Sequence, residues 1–291
     1  MDKILVADDD LVFRMFVREI MKRAGYAVSL ASDGMVALKK IREEQFALVL
    51  LDVWMPKMNG LELLSVLRQT PNPPKVVIMT TDGTPETVLK AAREQAYRYI
   101  VKPIDPGALV DVVRNTISAR PENLQIEIVS ARPNWVEVLL PCELGAAERV
   151  EEFLLNLKMD LPIDTRRSIA SACHELLLNA VEWGGQLDPN QKVRISCIRT
   201  ERMVMYRIAD PGPGFRLENL THAAISNPEG DPVAHFRERE RKGLRPGGIG
   251  LMMTQRIVDE LVYNEAQNEV VFIKYLDKVT DKTDISLSAK D

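Results

Sequence analysis

The strongest constraint on the fold is an alternation in the first 120 residues. Short apolar runs, KILVA (3–7), AVSLA (27–31), ALVLLD (47–52), KVVIMT (75–80) and YRYIVK (97–102), are separated by amphipathic stretches near 11–24, 34–44, 60–69, 85–95 and 106–118. An unbroken apolar run suits a strand covered on both faces. Five such strands alternating with five helices predict a doubly wound α/β domain with a parallel sheet. Sheets of this kind bind ligands at the carboxyl ends of their strands, so that edge is where chemistry is expected.

The strand ends carry a consistent set of residues. The first strand runs into Asp8 and Asp9, the third ends in Asp52, the fourth in Thr80 and the fifth in Lys102. Three carboxylates gathered at one edge repel unless something neutralises them. A Mg²⁺ ion does this with hard oxygen ligands and keeps positions for a phosphoryl group. A lysine and a hydroxyl on flanking strands suit the remaining phosphoryl oxygens.

On these residues, positions 1–120 resemble the receiver domain of bacterial response regulators, a flavodoxin-like fold. "ADDD" matches the family's acidic pair, "LDVWMPKMNG" its phosphoacceptor loop, and Thr80 stands at the usual spacing before Lys102. Tyr99 falls at the family's aromatic switch position. The resemblance implies that Asp52 accepts a phosphoryl group from an upstream histidine kinase or phosphotransfer protein. It implies that Asp8, Asp9 and Asp52 hold Mg²⁺, and that Thr80 and Lys102 bind the phosphoryl oxygens. Thr81 departs from the Ala or Gly usual there.

After Pro121 the grammar changes. Residues 121–134 read as a linker and a first strand. Residues 135–276 read as a second domain, and 277–291 as a polar tail. "LQIEIVSA" and "WVEVLLP" are strand-like, "AAERVEEFLLNLKM" and "IDTRRSIASACHELLLNAVEW" helical, and "VRISCIRTE" and "MVMYRIAD" strand-like again. A long segment without periodicity precedes a helix, "GGIGLMMTQRIVDEL", and a last strand, "EVVFIKYL". Hairpins beside a few helices predict an α+β sandwich.

Two glycine-rich turns stand out, "DPGPGF" with Gly212 and Gly214, and "GGIGL" with Gly247, Gly248, Gly250 and Leu251. Such loops let the backbone approach phosphate, and the second opens a helix whose N-terminus favours anions. Glu175 and Asn179 lie four apart and share a helix face. A carboxylate there can orient or deprotonate a nucleophile, and an amide oxygen can reach a nucleotide-bound Mg²⁺. Asp210 offers an acceptor for an exocyclic amine. His174 adjoins Glu175 and points about 100° away around the helix. It is expected to be a packing or surface residue and not a phosphorylated histidine.

In order and spacing these motifs resemble the Bergerat-type (GHKL) ATP-binding fold. "HELLLNAVEWGG" stands as the N box, "DPGPGF" as the first glycine box and "GGIGL" as the second. The short domain is most similar to the anti-sigma-factor serine kinases, with Trp183 where those carry a histidine. The resemblance implies Mg²⁺ and ATP as cofactors, Glu175 as base, Asn179 as metal ligand and Asp210 as adenine anchor. Residues 216–246 would form the lid. Its basic stretch "HFRERERKGLRPGG" reads either as a solvated helix or as a source of an arginine or Lys242 for the triphosphate.

The expected function is a response regulator whose receiver controls an ATP-dependent serine/threonine protein kinase. The resemblance implies an anti-sigma antagonist (STAS-like) protein or a sigma factor as partner. The rivals are a nucleotide-dependent module that sequesters its partner without phosphotransfer, and a hybrid histidine kinase. A net charge of -4 argues against nucleic acid as the main partner. Three scattered cysteines suggest free thiols in a reducing cytosol. With no signal-peptide pattern and no apolar run of membrane-spanning length, a cytoplasmic protein off the membrane is expected. A homodimer is compatible with the pattern.

Overall fold

The protein is described by a computed structural model over residues 1–119, 126–157, 160–215, 227, 230–231, 233–241 and 249–276. The first part places β1 (Lys3–Ala7), α1 (Leu11–Arg23), β2 (Ala27–Ala31), α2 (Gly34–Glu43), β3 (Leu48–Leu51), α3 (Gly60–Arg68), β4 (Lys75–Thr80), α4 (Pro85–Arg93), β5 (Arg98–Val101) and α5 (Pro106–Ser118) in the predicted order. All neighbouring strands pair in parallel, in the order β2-β1-β3-β4-β5.

Alternate residues of each strand feed two different cores, as the period of two requires. Ile4, Val6, Leu48, Leu50, Val77 and Met79 meet Val17 and Met21 of α1 and Leu109 and Val113 of α5. Leu5, Ala7, Val49, Leu51 and Ile78 join a cluster with Leu38 of α2, Leu63 and Leu67 of α3 and Leu89 of α4. This second cluster is continuous with the core of the other half of the chain. The chain therefore buries apolar side chains between its two domains.

The second part contains β6 (Glu127–Arg132), β7 (Trp135–Pro141), α6 (Leu144–Asn156), α7 (Ile163–Asn179), β8 (Lys192–Arg199), β9 (Met203–Ala209), α8 (Ala234–Arg241), α9 (Gly250–Ile257), β10 (Glu260–Tyr263) and β11 (Glu269–Tyr275). The strands form one antiparallel sheet, ordered β10-β11-β9-β8-β7-β6. α6, α7 and α9 pack together over it. Tyr206 and Phe272, from neighbouring strands, stack at 4.9 Å within the core.

Two elements differ from the sequence reading. The helix expected to continue through Leu261 ends at Ile257, and Glu260–Tyr263 is a sixth strand paired with β11. α7 ends in a π turn, Ala180–Gly184, which widens the helix where the N box meets the glycines. Turns of this kind recur at functional sites. Cys142, Cys173 and Cys197 are buried free thiols.

Candidate functional site

At the carboxyl end of the parallel sheet, Asp8 and Asp52 lie on adjacent strand ends because β1 pairs with β3. Both are buried, as is Thr80, whereas Asp9 is exposed. Lys102 reaches between the two buried carboxylates, its Nζ 2.5 Å from Asp8 Oδ2 and 2.8 Å from Asp52 Oδ1. Its ammonium also sits 4.2 Å from the centre of the Phe13 ring. Burial works against the charge on Lys102, but hydrogen bonds to Asp52 and Asp8 outweigh it and hold the ammonium above the usual lysine range. Burial raises the Asp52 carboxyl, against the opposing pull of Lys102.

Neighbouring groups fix this pocket. The Trp54 backbone N–H donates to Asp52 Oδ2 at 2.8 Å, and the Arg14 guanidinium donates to the Asp8 carbonyl. Asp10 caps α1, accepting from the N–H groups of Val12 and Phe13. Thr80 Oγ1 accepts the Asp82 N–H at 3.2 Å. Tyr99 is buried, with its hydroxyl donating to the Asp82 carbonyl. Thr81 is exposed at the mouth of the loop.

Among the described residues no three acidic, histidine or cysteine side chains converge into a ready-made metal cage. Asp8 and Asp52 are instead neutralised together by one lysine, and Asp9 points to solvent. The donor chemistry still fits Mg²⁺. Two buried carboxylates share a single positive charge, and a third carboxylate stands next in sequence.

The second site lies along α7. Glu175 and Asn179 are half-buried, one turn apart. The Glu175 carboxylate abuts Gly250, the first residue of α9, so closely that a methyl group there would collide with Oε2. The N box and the second glycine box therefore meet. Five residues beyond Asn179, Gly184 makes the matching contact with the Asp210 carboxylate, which a side chain at 184 would displace. Asp210 Oδ1 accepts the Gly212 N–H at 2.8 Å. Burial raises the Asp210 carboxyl, while that hydrogen bond pulls the other way. Gly214 has φ +83, a conformation open to glycine, and approaches the Ala266 carbonyl.

α7 and its π turn thus carry Glu175 at one end of a line and meet Asp210 at the other, with Asn179 between them in sequence. Leu251 is buried beneath the start of α9. Gly247, Gly248 and Lys242 lie outside the described residues. Within the lid region α8 carries ion pairs of its own, Arg241–Glu238 at 2.7 Å among them. His174 is on the surface, with Nδ1 2.8 Å from Glu151 Oε2, and does not share the face of Glu175.

Asn268 and Cys142 support the site, and no motif marks them in the sequence. Asn268 accepts the Asp210 N–H on its carbonyl at 2.9 Å and donates from Nδ2 to the Gly212 carbonyl at 3.0 Å. The Cys142 thiol lies against Gly185, and burial, aided by Asp210, pushes it up to about 11. Only the Gly184-Gly185 pair left a trace in the sequence, as an apparent helix stop.

Two buried aspartates bridged by a lysine at the carboxyl end of a parallel sheet, joined to a helix-and-sheet domain in which Glu175 meets the start of α9, define a signalling protein of the two-component class. The chain belongs to the response regulator family, with a histidine kinase-like ATPase domain as its second part. The sequence model of the response regulator receiver domain matches residues 4–114, and that of the histidine kinase-like ATPase domain matches residues 141–274. The transcriptional regulatory protein ZraR of Klebsiella oxytoca is 40% identical over 103 residues, covering 35% of this chain and 23% of that protein. The chain thus spans about a quarter of the length of this curated relative. The chemotaxis protein CheY of Thermotoga maritima is 30% identical over 112 residues, covering 38% of this chain and 93% of that one. The solved chemotaxis protein CheY4 of Vibrio cholerae is 31% identical, covers 40% of this chain and 98% of its own, and has a TM-score of 0.38. No helix among the described residues is long and apolar enough to cross a membrane.

Proposed function

We propose that the chain is a response regulator whose output is a protein serine/threonine kinase, set by the phosphorylation state of Asp52. The observation that carries the reading is the meeting of Glu175 with Gly250 at the start of α9, with Asn179 one turn along the same helix. It puts a carboxylate beside the N-terminus of α9, which opens within the GGIGL motif, where a nucleotide's phosphates would be held.

In the receiver, Asp52 takes a phosphoryl group from an upstream histidine kinase or phosphotransfer protein. Asp8, Asp9 and Asp52 hold Mg²⁺, which when bound neutralises phosphoryl charge. Thr80 and Lys102 bind the exposed phosphoryl oxygens, and Lys102 is already aimed at Asp52. In the second domain Asp210 accepts a hydrogen bond from the adenine amine, and Asn179 offers its amide oxygen to the nucleotide's Mg²⁺. Glu175 takes the proton from a substrate hydroxyl as that oxygen bonds to the γ-phosphorus of ATP. The bond to the β–γ bridging oxygen breaks, and ADP leaves.

The partner that suits this short domain is a small anti-sigma antagonist (STAS-like) protein. Glu175→Gln tests the assignment, because it keeps shape while removing the proton acceptor. Phosphoryl transfer from labelled ATP to the partner should fall about 10²–10⁴-fold with ATP affinity nearly unchanged. An undiminished partner effect in that variant would instead identify a module that sequesters its partner by binding alone.

A further inference from the structure

The contact between the domains is built on one helix. β5 is the edge strand of the parallel sheet, and α6 covers it. Asn156 Nδ2 donates to the Tyr99 carbonyl at 3.0 Å. Arg149 Nε donates to the Tyr97 carbonyl at 3.3 Å, and its guanidinium lies 4.1 Å from the Tyr97 ring centre. Arg98 of β5 pairs with Glu152 at 3.2 Å. Beside them, Arg93 at the end of α4 donates to the Ala131 carbonyl of β6.

The other side of α6 packs on α7, the helix that carries Glu175 and Asn179. Glu152 turns toward β5, while its neighbour Glu151 turns toward α7 and bonds His174, the residue before Glu175. One helix therefore touches both the strand next to the phosphoacceptor pocket and the helix of the nucleotide site.

Tyr99 is gripped at both ends. Its hydroxyl goes to the Asp82 carbonyl and its own carbonyl to Asn156. Asp82 is tied in turn to Thr80 Oγ1 through its N–H, and to Trp54 and Thr87 through its carboxylate. A change at Asp52 that engages Thr80 disturbs this set. The joint is also open to rearrangement. Polar groups, whose bonds can be exchanged, make many of its contacts. A cavity of about 190 Å³ lies between Tyr97, Tyr99, Val88, Ile128, Arg149 and Phe153. Burial raises the Glu152 carboxyl and depresses the Arg149 guanidinium, so the joint holds its charges against desolvation.

We infer that α6 is the coupling element between the two sites: Asn156, Arg149 and Glu152 sense the position of β5, and the Glu151–His174 pair passes the displacement to the N-box helix. This rests on the reading above that the receiver controls the nucleotide site, and it assigns residues to that control. His174 is then a positioning residue. It moves no proton in the reaction and sets where the turn of α7 that carries Glu175 and Asn179 stands.

The test uses the full chain and titrates Mg-ATP by calorimetry with and without beryllofluoride on Asp52, with occupancy confirmed by fluorine resonance. In wild type the ATP Kd should change by about fivefold or more, the lower end of ordinary allosteric coupling. Hydrogen exchange of α6 amides should change with it. Asn156→Ala and Arg149→Gln should reduce the shift below about twofold while beryllofluoride still binds and the thermal transition is kept. His174→Ala should lose the response, and His174→Gln, which retains a side-chain N–H, should recover part of it. A wild-type response that persists in Asn156→Ala, Arg149→Gln and Glu152→Gln overturns the role of α6 and leaves receiver control standing. A wild-type chain whose ATP Kd does not change overturns the coupling through α6, and an unchanged rate of phosphoryl transfer beside it overturns receiver control as well.

Discussion

Replacing Lys102 with methionine isolates the charge balance of the pocket that holds Asp8 and Asp52. Asp8 and Asp52 side chains are 1% and 7% exposed, and one ammonium within 2.8 Å serves both. Methionine keeps most of the apolar stem but leaves two buried carboxylates uncompensated. Removing one partner of a buried ionic group costs about 3–5 kcal/mol, and the receiver should lose stability in that range. The same pocket should then attract Mg²⁺ more strongly, because lysine no longer competes for its oxygens. At a Mg²⁺ concentration about 100 times its Kd, binding returns about 2.7 kcal/mol. Hydrogen exchange of the β1, β3 and β4 amides, with and without Mg²⁺, reads both effects in the receiver alone. A loss below about 1 kcal/mol would show that the carboxylates do not depend on Lys102. Equal protection of wild type and Lys102→Met by Mg²⁺ would show that lysine and cation do not share ligands.

Further outcomes follow from the same geometry. Asp52→Asn should abolish labelling by acetyl phosphate, and full labelling of that variant would move the phosphoacceptor elsewhere. Asp210→Asn should weaken ATP by about 1.5–3 kcal/mol, the cost of a lost hydrogen bond to a charged group. Because burial raises Asp210 above its ordinary value of 3.8, wild-type ATP affinity should begin to fall on acidification above that pH as the carboxylate takes up a proton. Calorimetry across pH should show a flatter profile for the Asn variant. Gly250→Ala should push aside the Glu175 carboxylate, the mobile end of a side chain, so that transfer falls while the thermal transition shifts little.

The receiver was legible because buried parallel strands read as unbroken apolar runs and because its chemistry sits at strand ends. Leu48–Leu51 and Lys75–Thr80 appear in the sequence nearly as they stand in the fold. The second domain was harder where tertiary pairing overrides local period. From Leu251 through Thr254, Val258 and Leu261 the spacing continues a helix, and no glycine or proline interrupts it. Yet Val258 is extended, and β10 forms by pairing with β11. The roles of Asn268 and Gly184 come from close approaches between distant segments, which composition does not record. Arg149, Glu152 and Asn156 look in sequence like the polar face of an amphipathic helix. Only the position of β5 shows what that face meets.

Control of the ATP domain by the state of Asp52 is the core of the proposed function. Its most direct measurement is the rate of phosphoryl transfer from labelled ATP to a purified STAS-like partner, at saturating Mg²⁺, with and without beryllofluoride on Asp52. The mimic should change the rate in wild type and have no effect in Asp52→Asn. Identical rates with and without the mimic, with Asp52 shown to be occupied, would contradict that control.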